Sequence, residues 1–226
     1  MAWVYEQKFN GLNNGDLAGQ DSFTLTAGLT TIDVTESNPF EGTKCITKTA
    51  GAGCGYIRSI TAVASGVFYY SARAKTGSAS ATASVRIRLT SSGTRALQVD
   101  LDLKTNNITC QDGAVNTQDT GQDYVNDTYI RIGVDFDCTT DTYELNFDNG
   151  AWSASYDFQN AVASIDKLEI KGENINDNAW YMDYISPNYV DPGGSNIKKL
   201  NSIAYANLKK VNNIAIANIK KINTIS

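Results

Sequence analysis

The chain contains no histidine. That absence excludes a Ser-His-Asp or Cys-His nucleophile system and any His-ligated zinc or haem site. Proline is scarce, at three in 226 residues. The cysteines are Cys45, Cys54, Cys110 and Cys138, none at the Cys-x-x-Cys spacing of a metal site. No run of 18 apolar residues exists, so no helical membrane span and no membrane partner are expected. Met1 to Lys8 shows no charged region followed by an apolar stretch, so no classical signal peptide is expected.

Positive charge is scarce outside the C-terminal end. Residues 191–226 hold six Lys and one Asp, which leaves 13 basic and 23 acidic residues in the first 190, a net of −10. Phosphate contacts need basic groups, so this acidic body is not expected to bind nucleic acid.

What the chain has in quantity is strand pattern. Val85 to Leu89, Leu97 to Leu103, Ile130 to Phe136 and Tyr143 to Asp148 alternate apolar with polar residues. Period-2 alternation marks half-buried strands. Turn clusters punctuate them at Ser91-Ser92-Gly93, Gln111-Asp112-Gly113 and Asp148-Asn149-Gly150. No helical pattern intervenes, so an antiparallel sandwich over residues 1–190 is expected. Its core should hold Val85, Ile87, Leu89, Val99, Leu101, Ile132, Val134, Phe136, Leu145 and Phe147. Cys45 and Cys54 flank the turn-like Ala50-Gly51-Ala52-Gly53 and suit a cross-hairpin disulfide. Cys110 and Cys138, near strand ends, suit a second, and four buried thiols are the alternative.

Three segments carry a resemblance. They are Phe9-Asn10-Gly11-Leu12 running on through Gly15-Asp16-Leu17 to Gln20-Asp21-Ser22-Phe23, then Asp135-Phe136-Asp137-Cys138 through Asp148-Asn149-Gly150, and the closing Trp180-Tyr181-Met182-Asp183-Tyr184-Ile185. Together, over about residues 3–188, they resemble the concanavalin A-like jelly-roll modules, which include laminin-G-like domains and many carbohydrate-binding modules. The resemblance implies two packed antiparallel sheets and, in many members, glycan binding. It also implies a structural Ca²⁺ where the first and last strands meet. Asp183 sits in the matching terminal motif, and Asn10, Asp16 and Asp21 lie in the opening loop that would meet it. Such an ion needs six to eight oxygens; the alternative is that Asp183 accepts backbone hydrogen bonds.

If the alternating strands are neighbours, Arg86, Arg88, Asp100, Asp102, Arg131, Asp135, Glu144 and Asn146 form one polar surface. That surface either hydrogen-bonds sugar hydroxyls or carries cross-strand ion pairs. Its candidate ligand contacts are Arg86, Arg88, Asp100 and Arg131. Trp152 and Tyr156 are the candidate stacking platforms, with Tyr124 and Tyr129 also near predicted loops, whereas Trp180 and Tyr69 are assigned to the core. Asp100 with Asp102, and Asp135 with Asp137, supply the paired carboxylates of glycoside hydrolysis. The glucanases of this fold class carry a Glu-x-Asp-x-x-Glu strand that is absent here, so no enzyme is expected.

After the linker Asp191-Pro192-Gly193-Gly194-Ser195, residues 196–226 repeat every 11. The frame Asn-[Ile/Leu]-Lys-Lys-x-Asn-x-Ile starts at Asn196, Asn207 and Asn218. A hendecad coiled coil would place Ile197, Leu200, Ala204, Leu208, Val211, Ala215, Ile219 and Ile222 on one seam. Recurrent Asn and abundant Ile favour short strands with Asn-Ser, Asn-Asn and Asn-Thr turns. A segment this thin cannot bury its own Ile residues and needs other copies of itself or a host surface, so a homo-oligomer is expected. The tail resembles those of jelly-roll proteins of phages and uncultivated bacteria, and the analogy with fibrous viral appendages implies a trimer. The expected function is therefore a virion fibre or decoration protein with a glycan-binding head, contacting other virion proteins. The alternatives are a bacterial surface carbohydrate-binding module or adhesin and, third, a polysaccharide-degrading enzyme.

Overall fold

The computed structural model describes residues 2–28, 30–48, 51–77, 84–114, 116–173 and 180–189, and four tail pairs, 199–200, 203–204, 210–211 and 214–215. The chain divides into two units, 1–189 and 190–226. In the first unit the strands are β1 (Gly15–Asp16), β2 (Thr24–Gly28), β3 (Asp33–Thr35), β4 (Cys45–Lys48), β5 (Cys54–Val63), β6 (Ser65–Arg73), β7 (Ser84–Ser91) and β8 (Thr94–Asp102). They continue as β9 (Asn107–Asp112), β10 (Asn116–Asp123), β11 (Ile130–Asp137), β12 (Thr142–Phe147), β13 (Tyr156–Asp157), β14 (Ile165–Glu173) and β15 (Trp180–Ser186).

These strands form two antiparallel sheets. One has eight strands in the order β1-β3-β4-β15-β6-β11-β12-β13, and the other has seven in the order β10-β9-β8-β7-β14-β5-β2. No helix occurs among the described residues, and the first unit is an all-β sandwich of two antiparallel sheets, the jelly-roll class expected from the sequence.

Register explains the core. Val85, Ile87 and Leu89 of β7 stand opposite Leu101, Val99 and Leu97 of β8, and Ile87 and Leu89 also face Ile170 and Leu168 of β14. From the other sheet, Ile132, Val134 and Phe136 meet Tyr70, Phe68, Leu145 and Tyr143. All are buried, and each such side chain contributes roughly 1.5–3 kcal/mol. Phe147, expected in the core, is only half-buried, because it ends β12 at the margin opposite Ile132.

All four cysteines are buried free thiols. The expected Cys45–Cys54 hairpin does not exist. β4 pairs with β3 and β15 in one sheet, and β5 pairs with β2 and β14 in the other. Cys110 lies on β9 of the seven-stranded sheet and Cys138 follows β11 of the eight-stranded one.

In the tail unit, β16 (Lys199–Leu200) pairs with β17 (Ile203–Ala204), and β18 (Lys210–Val211) pairs with β19 (Ile214–Ala215). The pair Lys199↔Ala204 returns 11 residues later as Lys210↔Ala215. The described tail residues are thus strands that keep the sequence period, as the β reading requires and the hendecad helix does not. The expected turn residues at 201–202 and 212–213, and the third repeat, lie outside the described residues.

Candidate functional site

The strands expected to share one polar surface belong to different sheets. Arg86, Arg88, Asp100 and Asp102 lie on the outer face of the seven-stranded sheet. Arg131, Asp135, Glu144 and Asn146 lie on the outer face of the eight-stranded one. The two sets are on opposite sides of the core.

The first set is internally matched. Arg86 donates through Nε and Nη2 to both Asp100 oxygens at 2.7 and 2.8 Å, and through Nη1 to Glu173 at 3.1 Å. Arg88 donates to Gln98 at 2.7 Å and Glu169 at 3.2 Å, while Gln98 Nε2 donates to Asp100 Oδ2 at 2.8 Å. Lys171 completes the network on Glu173 at 2.7 Å. Burial pushes the Asp100 carboxyl up, and Arg86 opposes that. Three cations meet three carboxylates on a nearly covered face, the cross-strand ion-pair arrangement weighed from the sequence.

Arg131 is fully buried. Its Nη1 donates to Ser71 Oγ at 3.0 Å and to the Tyr184 carbonyl at 2.6 Å, and its Nη2 donates to the Asn188 carbonyl at 3.2 Å. The guanidinium lies 4.6 Å from the Tyr184 ring and 5.8 Å from those of Phe40 and Tyr69. Burial pulls its pKa down to about 10. It fastens the chain after β15 to the sheet and is closed to ligand.

The residues expected to hold Ca²⁺ do not converge. Asp183 Oδ2 accepts from the Phe40 and Glu41 N–H groups at 2.9 and 3.0 Å, and its Oδ1 from Tyr184 N–H at 2.7 Å. Asn10 Oδ1 accepts from Thr43 and Lys44 N–H at 2.7 and 3.0 Å. Gly42, at φ +76, lies so close that a Cβ there would sit 2.2 Å from the Asn10 amide. Asp16 takes the Tyr56 hydroxyl at 2.5 Å and Ala18 N–H at 2.9 Å. Asp21 takes Tyr5, Gln7 and Arg58. Asp183 and Asn10 both serve N–H donors of the 40–44 loop, whereas Asp16 and Asp21 serve other protein donors. Among the described residues no three His, Cys, Asp or Glu side chains group to hold a metal. In this structure Asp183 accepts the backbone hydrogen bonds weighed as the alternative, and the four residues hold the opening loop and the 40–44 loop in place.

Asp183 carries a pH consequence. Burial pushes its carboxyl up to about 7 against the pull of the three N–H donors. The unfolded carboxylate titrates near 3.9, so between about pH 4 and 7 the folded state holds a proton that the unfolded state has released. Stability from this group is therefore highest below pH 4, falls as pH rises to about 7, and is flat above. Melting temperatures across pH 4–7 should fall in the wild type and fall less steeply in Asp183→Asn, where the raised Asp100 and Asp135 carboxyls still contribute. An unchanged slope in the variant would contradict the assignment.

The open chemistry lies on the outer face of β6, β11 and β12. Register forms the row Tyr69–Gly133–Asn146 and, next to it, Val67–Asp135–Glu144. A Cβ on Gly133 would sit 2.6 Å from the Tyr69 ring, so glycine there lets the ring lie across the sheet. Trp152, from the loop after β12, meets Tyr69 at 6.3 Å between ring centroids with a 48° tilt. Asp135 stands directly opposite Glu144, an unfavourable like-charge pair. Among the described residues neither carboxylate has an ion-pair partner. The Asp135 carboxyl is raised, first by burial and then by Glu144 and Asp137. On the side of these carboxylates away from Tyr69 and Trp152, a groove of about 280 Å³ is lined by Asp135, Asp137, Thr140, Thr142, Glu144 and Ser155. The Thr139 N–H and hydroxyl hold Asp137 below the usual carboxylate range.

Of the expected ligand contacts, only Trp152 stands at this face in the open. Tyr156 pairs opposite the core residue Tyr143 and packs on it at 5.5 Å, so it faces inward. Tyr124 is buried, and Tyr129 is held by the Asn38 carbonyl. Tyr69, expected in the core, is on the outer face because Phe68 and Tyr70 take the inward positions of β6. That alternation was the signal that could have found it. An aromatic pair beside unpaired acceptors offers apolar stacking and acceptance of hydroxyl protons.

No protein-family model and no curated protein matches the chain. Among solved structures, a sialidase aligns with TM-score 0.63 and 10% identity over 81% of this chain, which spans 18% of the sialidase. A structure described as a native glycosidic hydrolase aligns with TM-score 0.55 and 11% identity, over 84% of this chain and 98% of that one. A carbohydrate-binding module from Bacillus subtilis aligns with TM-score 0.50 and 10% identity, over 72% and 95%. At these identities the likeness shows the shared sandwich fold.

Proposed function

We propose that residues 1–189 are a glycan-binding head that binds without cleaving, and that the repeat tail gathers copies into a homo-oligomer. The observation that carries the reading is the Tyr69–Trp152 pair beside the unpartnered carboxylates Asp135 and Glu144. Sugar C–H faces lie on aromatic rings, and sugar hydroxyls donate to carboxylates. The carbohydrate-directed names of the similar structures support the same reading. The acidic head favours a neutral polysaccharide over an acidic one.

A repeat tail that assembles copies multiplies weak sites into avid ones. This suits an appendage protein on a virion, contacting other virion proteins and a surface glycan of the host. Finding the chain in purified virions tests that placement, and its absence there favours a bacterial surface adhesin.

One observation favours a second reading, hydrolysis: a carboxylate pair in which Asp135 is raised. Glycosidase carboxylates flank the scissile bond from two sides, whereas Asp135 and Glu144 sit side by side on one wall, which favours binding alone. A glycan array followed by a reducing-sugar assay on each hit decides. Binding with no new reducing ends is the expected result; reducing ends that vanish in Glu144→Gln would establish the hydrolase.

A further inference from the structure

The head has a second open feature away from this face. β2 pairs only with residues 54–57 of β5, from Cys54 to Ile57. Farther along, the β5–β14 register breaks between Ser59↔Lys167 and Val63↔Ile165, so Ile60, Thr61 and Ala62 stand against Asp166 alone. The bulged stretch opens a cleft of about 210 Å³ toward the N-terminal segment, walled by Trp3, Val4, Tyr5, Arg58, Ile60 and Thr61.

One wall is built rigidly. The Arg58 guanidinium lies 4.0 Å from the centroid of the Tyr5 ring. Asp21 Oδ2 accepts from Tyr5 hydroxyl at 2.8 Å, Gln7 Nε2 at 2.6 Å and Arg58 Nε at 3.1 Å, and its Oδ1 accepts from Arg58 Nη2 at 3.0 Å. Asp21 and the next residue, Ser22, both hold positive φ, 43° and 62°, strain of the kind kept where a site is preorganised. Arg58 Nη1 donates to the Ser59 carbonyl at 2.8 Å. A guanidinium has five N–H groups, and these bonds engage one on each nitrogen. One N–H on Nη1 and one on Nη2 therefore remain without a partner among the described residues.

We infer that this cleft is a second carbohydrate subsite, separate from the Tyr69–Trp152 face, that takes a single neutral sugar unit. The inference rests on the proposed glycan reading. Adjacent sugar hydroxyls accept from the two Arg58 N–H groups, and the C–H face lies against Ile60, Val4 and the edge of Tyr5, above the buried Trp3. Thr61 offers a hydroxyl at the rim. A neutral unit fits better than an acidic one, because Asp21 already balances Arg58 and the first 190 residues carry −10.

The chain has three tryptophans: Trp3, buried on Phe68 at 4.5 Å with its indole N–H donating to the Tyr5 carbonyl at 2.9 Å, reports on the inner wall of the cleft, Trp152 on the outer face and Trp180 on the core. Their indole N–H signals should be followed in ¹⁵N-labelled full-length protein titrated with glucose, galactose, N-acetylglucosamine and glucuronate. At least one neutral sugar should move Trp3 and leave Trp180 still. Thr61→Phe, an exposed substitution that fills the cleft, should abolish the Trp3 shift and spare Trp152. Trp152 moving while Trp3 stays fixed would overturn the cleft and keep the outer face; Trp3 moving alone would do the reverse. An unchanged Trp3 response in Thr61→Phe, or a stronger one to glucuronate, would also overturn the inference, and two silent tryptophans would overturn both sites.

Discussion

Deleting residues 192–226 should turn a trimer into a folded monomer. Light scattering on the full chain should give about three times the 24.5 kDa protomer mass, and the deletion should give one head. The reason is area. The repeat frame supplies Ile, Leu and Val at every turn of 11 residues, on hairpins whose paired strands are two residues long. An isolated hairpin of this size is marginal in water. At roughly 25 cal/mol per Å², burying those side chains against other copies is the available drive, while the recurrent Lys pairs oppose open-ended stacking. Circular dichroism should keep most of its strand signal after deletion, since both large sheets belong to 1–189. A monomeric full-length chain at micromolar concentration would remove self-assembly and leave the tail as an anchor to a different protein.

Trp180→Ala should cost about 3–5 kcal/mol of stability. Its indole is fully buried on β15, which sits between β4 and β6 inside the eight-stranded sheet. Gly172 of the opposite sheet lies so close that an added Cβ would be 3.1 Å from the indole nitrogen. Truncation therefore leaves a cavity between the two sheets that neither can close without breaking register. Since a domain of this kind is stable by only about 5–15 kcal/mol in total, the urea midpoint should drop sharply with little change in m. Trp152→Ala, half-buried on the surface, should cost less than about 1 kcal/mol. Equal losses at the two positions would contradict the placement of Trp180 in the core.

Alternation made the strands and their inward faces legible: Ile87, Val99, Ile132 and Leu145 all lie where period 2 puts them. It carries no information about which strands pair. Arg131 and Arg86 look alike in sequence, each flanked by apolar neighbours, yet one is sealed beneath Tyr184 and the other lies across the molecule. Cys45 and Cys54 are nine positions apart, but the chain crosses between sheets in that interval. The candidate site was legible in part. Trp152 is visible from its place in a loop, whereas Tyr69 depends on the close approach of Gly133, which exists only once β6 and β11 are paired. The carboxylates of Asp183, Asp16 and Asp21 suggested a cation because donors from distant loops cannot be seen in the sequence.

Calorimetric titration of an array-positive oligosaccharide most directly tests the proposed glycan binding on the Tyr69–Trp152 face. Trp152→Ala should weaken binding by about tenfold or more, equivalent to about 1.4 kcal/mol, and Glu144→Gln should weaken it by a similar amount, with melting curves of both variants close to wild type. Unchanged affinity in both variants would place glycan binding elsewhere or nowhere on the head.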